Sequence, residues 1–77
     1  LGFIAMTYHL EWTYTVSDIH DATGIPRDGR GQTLIRDRLR NNEFGEGWEK
    51  RGEHRSAPYY ISEETFQAAV RILRQQT

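Results

Sequence analysis

The chain has 77 residues, enough for one domain with one modest hydrophobic core. It contains no cysteine, which excludes a disulfide framework and thiolate metal sites. Ten basic and eleven acidic residues give a net charge of −1, so the chain as a whole lacks the basic excess common in nucleic-acid-binding domains.

The N-terminal residues leave two interpretations open. If Met6 is the natural start, residues 1–5 are a vector remnant; otherwise they are native and form part of a strand. In either case residues 1–6 are a candidate for disorder. Leu1–Met6 is too short for the apolar region of a signal peptide, and no apolar run approaches the roughly 20 residues of a membrane span. We therefore expect a cytoplasmic protein that does not enter a membrane.

Alternating polar and apolar residues open the regular part of the chain. The alternation from Thr7 to Val16 predicts a strand with one buried face. Ser17 follows as the expected N-cap of a short helix over Asp18–Thr23, and Gly24 is expected to end that helix in the left-handed conformation.

A second helix is predicted from Gly31 to Asn42, after a flexible turn at Arg27–Gly31 that is rich in glycine and charge. At about 100° per residue, Leu34, Ile35 and Leu39 share one apolar side. The polar side carries Gln32, Thr33, Arg36, Asp37 and Arg40.

Positive charge is concentrated in this helix and the turn before it. From Pro26 to Asn41 there are five arginines and two aspartates, a local charge of +3, whereas Leu1–Ile25 has three acidic residues and no Lys or Arg, a local charge of −3. A helix docked by its apolar side would present its arginines to phosphate oxygens and base edges of DNA. The alternative is that the charged side only keeps the helix in solution.

The C-terminal half predicts a β-hairpin and a final helix. One strand is expected near Gly47–Arg51 and the other near Pro58–Ile61, with Pro58 typical of an edge strand. Ser62 is the expected N-cap of the last helix. Its apolar stripe consists of Phe66, Ala69, Val70 and Leu73. The large aromatic residues are expected to fill the core rather than to stack on bases; they are Trp12, Trp48, Tyr59 and Tyr60.

This order of elements resembles the small winged helix-turn-helix modules of MerR-type regulators and phage excisionases. The resemblance extends from Tyr14 to about Leu73, and its matching segments are Tyr14–Ile19, Ala22–Pro26 and Pro58–Glu64. It implies a single α+β domain over residues 1–77, with an N-terminal strand, two helices, a hairpin wing and a C-terminal helix. The chain departs from the family in its long turn between the first two helices and in lacking a MerR-type dimerisation helix and effector domain.

The resemblance also implies a function and a set of contact residues. The second helix would enter the major groove and the wing would reach adjacent backbone, giving sequence-specific binding of double-stranded DNA by a transcriptional regulator or a phage or mobile-element recombination accessory factor. The implied DNA contacts are Arg27, Arg30, Gln32, Thr33, Arg36, Arg40, Lys50, Arg51, His54 and Arg55. The alternative is a protein-interaction module or homodimer on the same scaffold, with Trp48 and Tyr60 as exposed anchors.

Other chemistry has little support in the sequence. The three histidines, at positions 9, 20 and 54, fall in different predicted elements, and the helical spacing of metal ligands is missing around His20. No acid, base and nucleophile stand together. We therefore predict no metal, no cofactor and no enzymatic activity.

Overall fold

Three helices and a three-stranded antiparallel sheet make up the described part of the chain, residues 8–76 of a computed structural model. The elements are β1 (Tyr14–Thr15), α1 (Val16–Thr23), α2 (Gly29–Arg40), β2 (Trp48–Lys50), β3 (Tyr59–Ile61) and α3 (Glu63–Gln75). The predicted α+β class and the order of its elements are confirmed. The predictions for residues 1–6 and for Thr7 lie outside the described residues.

The sheet is organised around β3, which lies between β1 and β2. Ile61 is opposite Tyr14 on one side and opposite Trp48 on the other. The predicted hairpin is therefore confirmed, but the expectation that Pro58 belongs to an edge strand is wrong. Pro58 precedes the central strand, where its carbonyl accepts a hydrogen bond of 2.9 Å from the Arg51 N–H, and its lack of an N–H leaves no ladder bond unmade within β3.

The predicted strand over Thr7–Val16 is wrong for most of its described length, because only Tyr14–Thr15 pairs with the sheet. Before this point the chain turns, and the Trp12 N–H donates to the His9 carbonyl at 2.9 Å. Leu10, which the alternation placed on a buried face, is 78% exposed. Alternation of polar and apolar residues thus continues over residues that form no strand, so it overestimated the length of β1.

The start of α1 is fixed by a capping box. The Thr15 hydroxyl accepts from the Asp18 N–H at 3.3 Å, and the Asp18 carboxylate accepts from the Thr15 N–H at 2.9 Å. The prediction of Ser17 as the N-cap is therefore wrong, and the helix begins two residues before the predicted Asp18. The predicted helix end is confirmed, since Gly24 has φ of 77° and donates to the His20 carbonyl.

The start of α2 corrects the predicted flexible turn at Arg27–Gly31. The Asp28 carboxylate caps the helix by accepting from the Gly31 N–H at 2.8 Å, so Gly29–Gly31 form the first helical turn. Gly31 lies against the carbonyl of Pro26 so closely that a Cβ there would be 2.0 Å from that oxygen. The absent side chain lets the helix pack directly on the segment that precedes it.

The core lies where the three helices meet the inner face of the sheet. Its buried apolar residues are Val16, Ile19, Ile35, Leu39, Phe44, Tyr59, Ile61, Ala69 and Leu73. The prediction of α3 is confirmed: the Ser62 hydroxyl accepts from the Thr65 N–H at 3.2 Å, and Ala69 and Leu73 of its stripe are buried. Phe66 of the same stripe stacks on Tyr14 with a centroid separation of 4.1 Å.

Candidate nucleic-acid interface

The orientation of α2 decides which of its side chains face outward. Gly31, Ile35 and Leu39 are buried and define the inner side of the helix. Leu34, predicted on the apolar side with Ile35, is instead 40% exposed. Buried residues at intervals of four place the centre of the outer side near Thr33. The helix is therefore rotated relative to the sequence-based projection.

The outer face of α2, which we define as Arg30, Thr33, Asp37 and Arg40, is exposed along its length. Arg40 forms an ion pair with Asp37, and 51% of its side chain remains exposed. Hydrogen bonding to Asp37, followed by hydrogen bonding to Tyr59, raises the pKa of Arg40, which therefore stays charged. Within residues 8–76, the side chain of Arg30 has no hydrogen bond or ion pair. This face can present two guanidinium groups and a hydroxyl to a polyanion.

Two predicted contact residues, Gln32 and Arg36, do not lie on the outer face. The Gln32 side-chain amide donates to the Arg27 carbonyl at 2.9 Å, and Arg36 is half-buried with its Nε out of contact with solvent. Both side chains turn toward α1. The sequence projection placed them on the polar side with Arg40, because it centred the apolar side on Leu34 as well as on Ile35.

Arg27 is held by α1 rather than left free in a flexible turn. Its guanidinium donates to the carbonyl and the hydroxyl of Ser17, at 3.3 and 3.0 Å, and forms an ion pair with Asp21. About half of its side chain is exposed. Arg27 therefore joins the loop before α2 to α1, and a phosphate would have to compete with Asp21 for it.

The hairpin brings some predicted wing residues close to α2. Lys50 is opposite Tyr59 in the sheet, and the Tyr59 hydroxyl is 3.5 Å from the Arg40 guanidinium. Directly opposite residues project from the same face of a sheet, so Lys50 and Arg40 both lie beside Tyr59. In the hairpin turn, His54 contacts the Ser56 hydroxyl at 2.8 Å, and Arg55 is exposed.

Arg51 is held by contacts within the protein, so it is not the free cation that its predicted role as a wing contact assumed. It donates to the carbonyls of His9 and Trp12 at 2.6 and 3.1 Å, and to the Glu49 carboxylate at 2.9 Å. Its guanidinium lies 3.9 Å from the ring centroid of Tyr60. These five residues, which we call the Arg51 cluster, fasten the segment before β1 to the hairpin.

Glu49 is the acidic member of the Arg51 cluster. Burial alone would raise the pKa of its carboxyl, but hydrogen bonds from His9 and Arg51 outweigh that effect and hold the pKa below its ordinary value of 4.5. The ion pair between Glu49 and Arg51 could have been found from the sequence. The two residues are two positions apart in a strand and so project from the same face. No sequence pattern pointed to the contacts of Arg51 with His9 and Trp12.

The aromatic residues proposed as exposed anchors are half-buried. Trp48 packs edge-on against Tyr59 at 5.7 Å between centroids, and its indole N–H donates to the Asn42 side chain at 2.7 Å. Tyr60 lies beneath the Arg51 guanidinium. Both therefore serve the fold. The expectation of aromatic residues in the core holds for Tyr59 and for Trp48, which packs against the core, but not for Trp12 and Tyr60.

Among residues 8–76, no group of three or more His, Cys, Asp or Glu side chains could hold a metal ion, and no helix is long and apolar enough to span a lipid bilayer. Comparisons with protein-family models, with curated proteins and with solved structures gave no match.

Proposed function

We propose that the chain is a winged helix-turn-helix module that binds double-stranded DNA sequence-specifically through the outer face of α2, with the hairpin as its wing. The supporting observation is that this face is exposed while α2 carries four arginines and one aspartate. In the cell such a module would act as a transcriptional regulator or as an accessory factor in the recombination of a phage or mobile element.

The dimensions and chemistry of α2 suit a major groove. Twelve residues span about 18 Å at 1.5 Å each, and the groove, about 12 Å wide, admits a helix. Arg30 and Arg40 can each donate two hydrogen bonds to guanine, and Thr33 can contact a base edge or a thymine methyl group. In the free protein, the ion pair with Asp37 holds the Arg40 guanidinium in place without burying it. On docking, Arg40 would exchange Asp37 for DNA.

The hairpin contributes to this proposal through phosphate contacts. Lys50 lies beside the end of α2 where Arg40 sits, and His54 and Arg55 extend the surface into the hairpin turn. Phosphate contacts of this kind position a protein on a duplex and make its affinity fall with salt. Arg51 is left out of this set because its Nε and one of its terminal nitrogens already donate to the protein.

The test measures the affinity for a labelled mixed-sequence duplex by fluorescence anisotropy over a series of salt concentrations. Arg30→Gln and Arg40→Gln should each weaken binding, and a variant that no longer binds one of the phosphates should show a slope of log affinity against log salt that is smaller by about one. Arg71→Gln, which removes an exposed cation from α3, is the matched control and should change neither quantity. Selection from a random duplex pool with the unsubstituted protein should then enrich one motif.

Failure of the unsubstituted protein to bind a duplex or heparin at low salt would refute the proposal. Equal loss of affinity in the Arg71→Gln control would show that only net charge matters and would remove the role of α2. Circular dichroism of each variant confirms that its fold is unchanged, so that loss of binding can be assigned to the side chain.

Protein binding is the second candidate function, favoured by two exposed leucines. Leu34 lies on α2 beside the outer face, and Leu10 lies in the turn before β1. Exposed apolar side chains are common singly, but they also anchor protein interfaces. Loss of a protein partner in Leu34→Ser, together with no retention on heparin, would favour this function over DNA binding.

A further inference from the structure

A cleft of about 160 Å³ lies between α1 and α2, on the side of α2 away from Leu34. It is lined by Val16, Ser17, His20, Arg27, Gln32 and Arg36. Its volume is well below the roughly 300–1,000 Å³ of pockets for drug-sized ligands, so a guest would consist of only a few atoms. The DNA-binding proposal uses the exposed side of α2 and leaves this cleft without a role.

His20, which lines the cleft, has an unused hydrogen-bond acceptor. The residue is only 4% exposed, and its Nδ1 lies 2.9 Å from the Ile25 carbonyl oxygen. A carbonyl can only accept, so Nδ1 carries the proton, and in the neutral ring Nε2 then carries a lone pair. Nε2 is buried and has no partner within residues 8–76. A buried group of this kind favours a ligand that donates to it.

Arg36 supplies the complementary donor. Its Nε is buried and likewise lacks a partner within the described residues, and the arginine forms no ion pair there. Because guanidinium stays protonated, this N–H can only donate, and it favours an anionic oxygen. Arg27, the other cation lining the cleft, is already bound to Ser17 and Asp21. Arg36 is therefore the cation available to a guest.

We propose that the cleft binds a small oxyanion that keeps one hydroxyl group at neutral pH, with hydrogen phosphate as the leading example. Both nitrogens are closed to solvent in this structure, so a guest reaches them only when the two side chains rotate toward the cleft. The hydroxyl would then donate to His20 Nε2 while an anionic oxygen accepts from the Arg36 Nε–H. Two buried nitrogen atoms of opposite hydrogen-bonding character then select for a guest with both a donor and an acceptor. Bicarbonate has the same combination in a planar shape, and the test distinguishes the two.

The same chemistry separates this site from the proposed DNA surface. Sulfate and the phosphodiesters of DNA have no hydroxyl near neutral pH, so neither can donate to a neutral His20. The cleft is therefore expected to be selective for hydrogen phosphate over sulfate whether or not the protein binds DNA. Failure of one proposal leaves the other intact.

The experiment is a titration followed by NMR on protein labelled with ¹⁵N. At about pH 8, where a histidine ring is ordinarily neutral, inorganic phosphate, bicarbonate and sulfate are added separately at matched ionic strength. The resonances of His20 Nε2 and of the Arg36 Nε–H should move saturably with phosphate and not with sulfate. A parallel movement with bicarbonate would identify the hydroxyl as the selected feature; no movement would show that the tetrahedral shape is also needed.

Two variants assign the site. Arg36→Gln removes the charge-assisted donor and should raise the Kd for phosphate by about tenfold or more. Arg40→Gln, one turn further along α2 and on the outer face, should leave that Kd unchanged while weakening duplex binding. The titration of the unsubstituted protein needs no variant, so the proposal stays testable if Arg36→Gln does not fold.

Three results would overturn the inference. The first is the absence of a saturable phosphate response at either nitrogen. The second is an equal response to sulfate with the His20 ring still neutral, which its ¹⁵N shifts report directly. The third is a loss of phosphate affinity in Arg40→Gln as large as that in Arg36→Gln, which would indicate general attraction to the basic helix.

Discussion

The close contact between Gly31 and Pro26 predicts that the substitution Gly31→Ala destabilises the protein. In a helix, replacing glycine by alanine ordinarily stabilises a protein by about 0.5–1 kcal/mol. At Gly31, however, the new Cβ would be 2.0 Å from the Pro26 carbonyl oxygen and 3.1 Å from Cγ2 of Ile25, whereas ordinary van der Waals contact begins at 3.4 Å. The nearest atom belongs to the backbone, so a change of side-chain rotamer cannot relieve the overlap.

The expected cost follows from what has to move. Overpacking typically costs about 1–3 kcal/mol, and displacing Pro26 or α2 would also disturb the hydrogen bond from the Gly31 N–H to Asp28, since losing a helix cap costs about 0.5–2 kcal/mol. After the gain in helix propensity, we expect Gly31→Ala to destabilise the protein by about 2 kcal/mol. For a domain of this size that corresponds to a fall in Tm of about 8–16 °C.

Gly29 provides the matched control, because it lies in the same helical turn and a Cβ there would meet nothing within 4 Å. Gly29→Ala should leave Tm unchanged or raise it by a few degrees. The assay is thermal and urea denaturation followed by circular dichroism for both variants and the unsubstituted protein. If Gly31→Ala proved as stable as Gly29→Ala, with an unchanged native spectrum, the close packing that sets the rotation of α2 would be wrong.

Two further predictions concern helix capping and acid stability. Thr15→Ala should lower the free energy of unfolding by about 1 kcal/mol because it removes one half of the capping box. Ser17→Ala, at the N-cap expected from sequence, should lower it less. Urea denaturation of the two variants measures both changes. The lowered pKa of Glu49 contributes stability that is fully present above its unfolded value near 4.5 and is lost as the pH falls through the lower folded value. In Glu49→Gln, Tm should therefore fall less steeply below pH 4.5 than in the unsubstituted protein. Glu53→Gln, in the exposed hairpin turn, is the control and should show the original fall. Identical plots of Tm against pH for the two variants would show that the Arg51 cluster contributes no stability through the Glu49 carboxyl.

The elements most accurately predicted from sequence are those specified by nearby residues. For α3, Ser62 as the N-cap, acidic residues in the first turn and apolar residues at helical spacing all indicate the same helix. The hairpin was likewise predictable, from the glycines at positions 45, 47 and 52 and from the alternation of Ala57, Tyr59 and Ile61 with Pro58 and Tyr60. Gly24 ended α1 as expected because glycine adopts the left-handed conformation at little cost.

Two of the errors come from contacts that local sequence patterns do not contain. The rotation of α2 depends on Gly31 meeting the Pro26 carbonyl and on which side of the helix reaches the core, and a helical projection contains neither fact. Arg51 looked like a free cation because its carbonyl partners, His9 and Trp12, are about forty residues away. The candidate site changed accordingly: Arg30, Thr33 and Arg40 remain outward, while Arg36 moved to the cleft beside α1.

The shortness of the sheet has a consequence for behaviour at high concentration. Its two outer strands, β1 and β2, have two and three residues, and the central strand β3 is already paired on both sides. Unpaired strand edges are where chains recruit one another into aggregates, and so brief an edge offers a second molecule very few main-chain groups to join. Self-association through added strands is thus disfavoured by geometry.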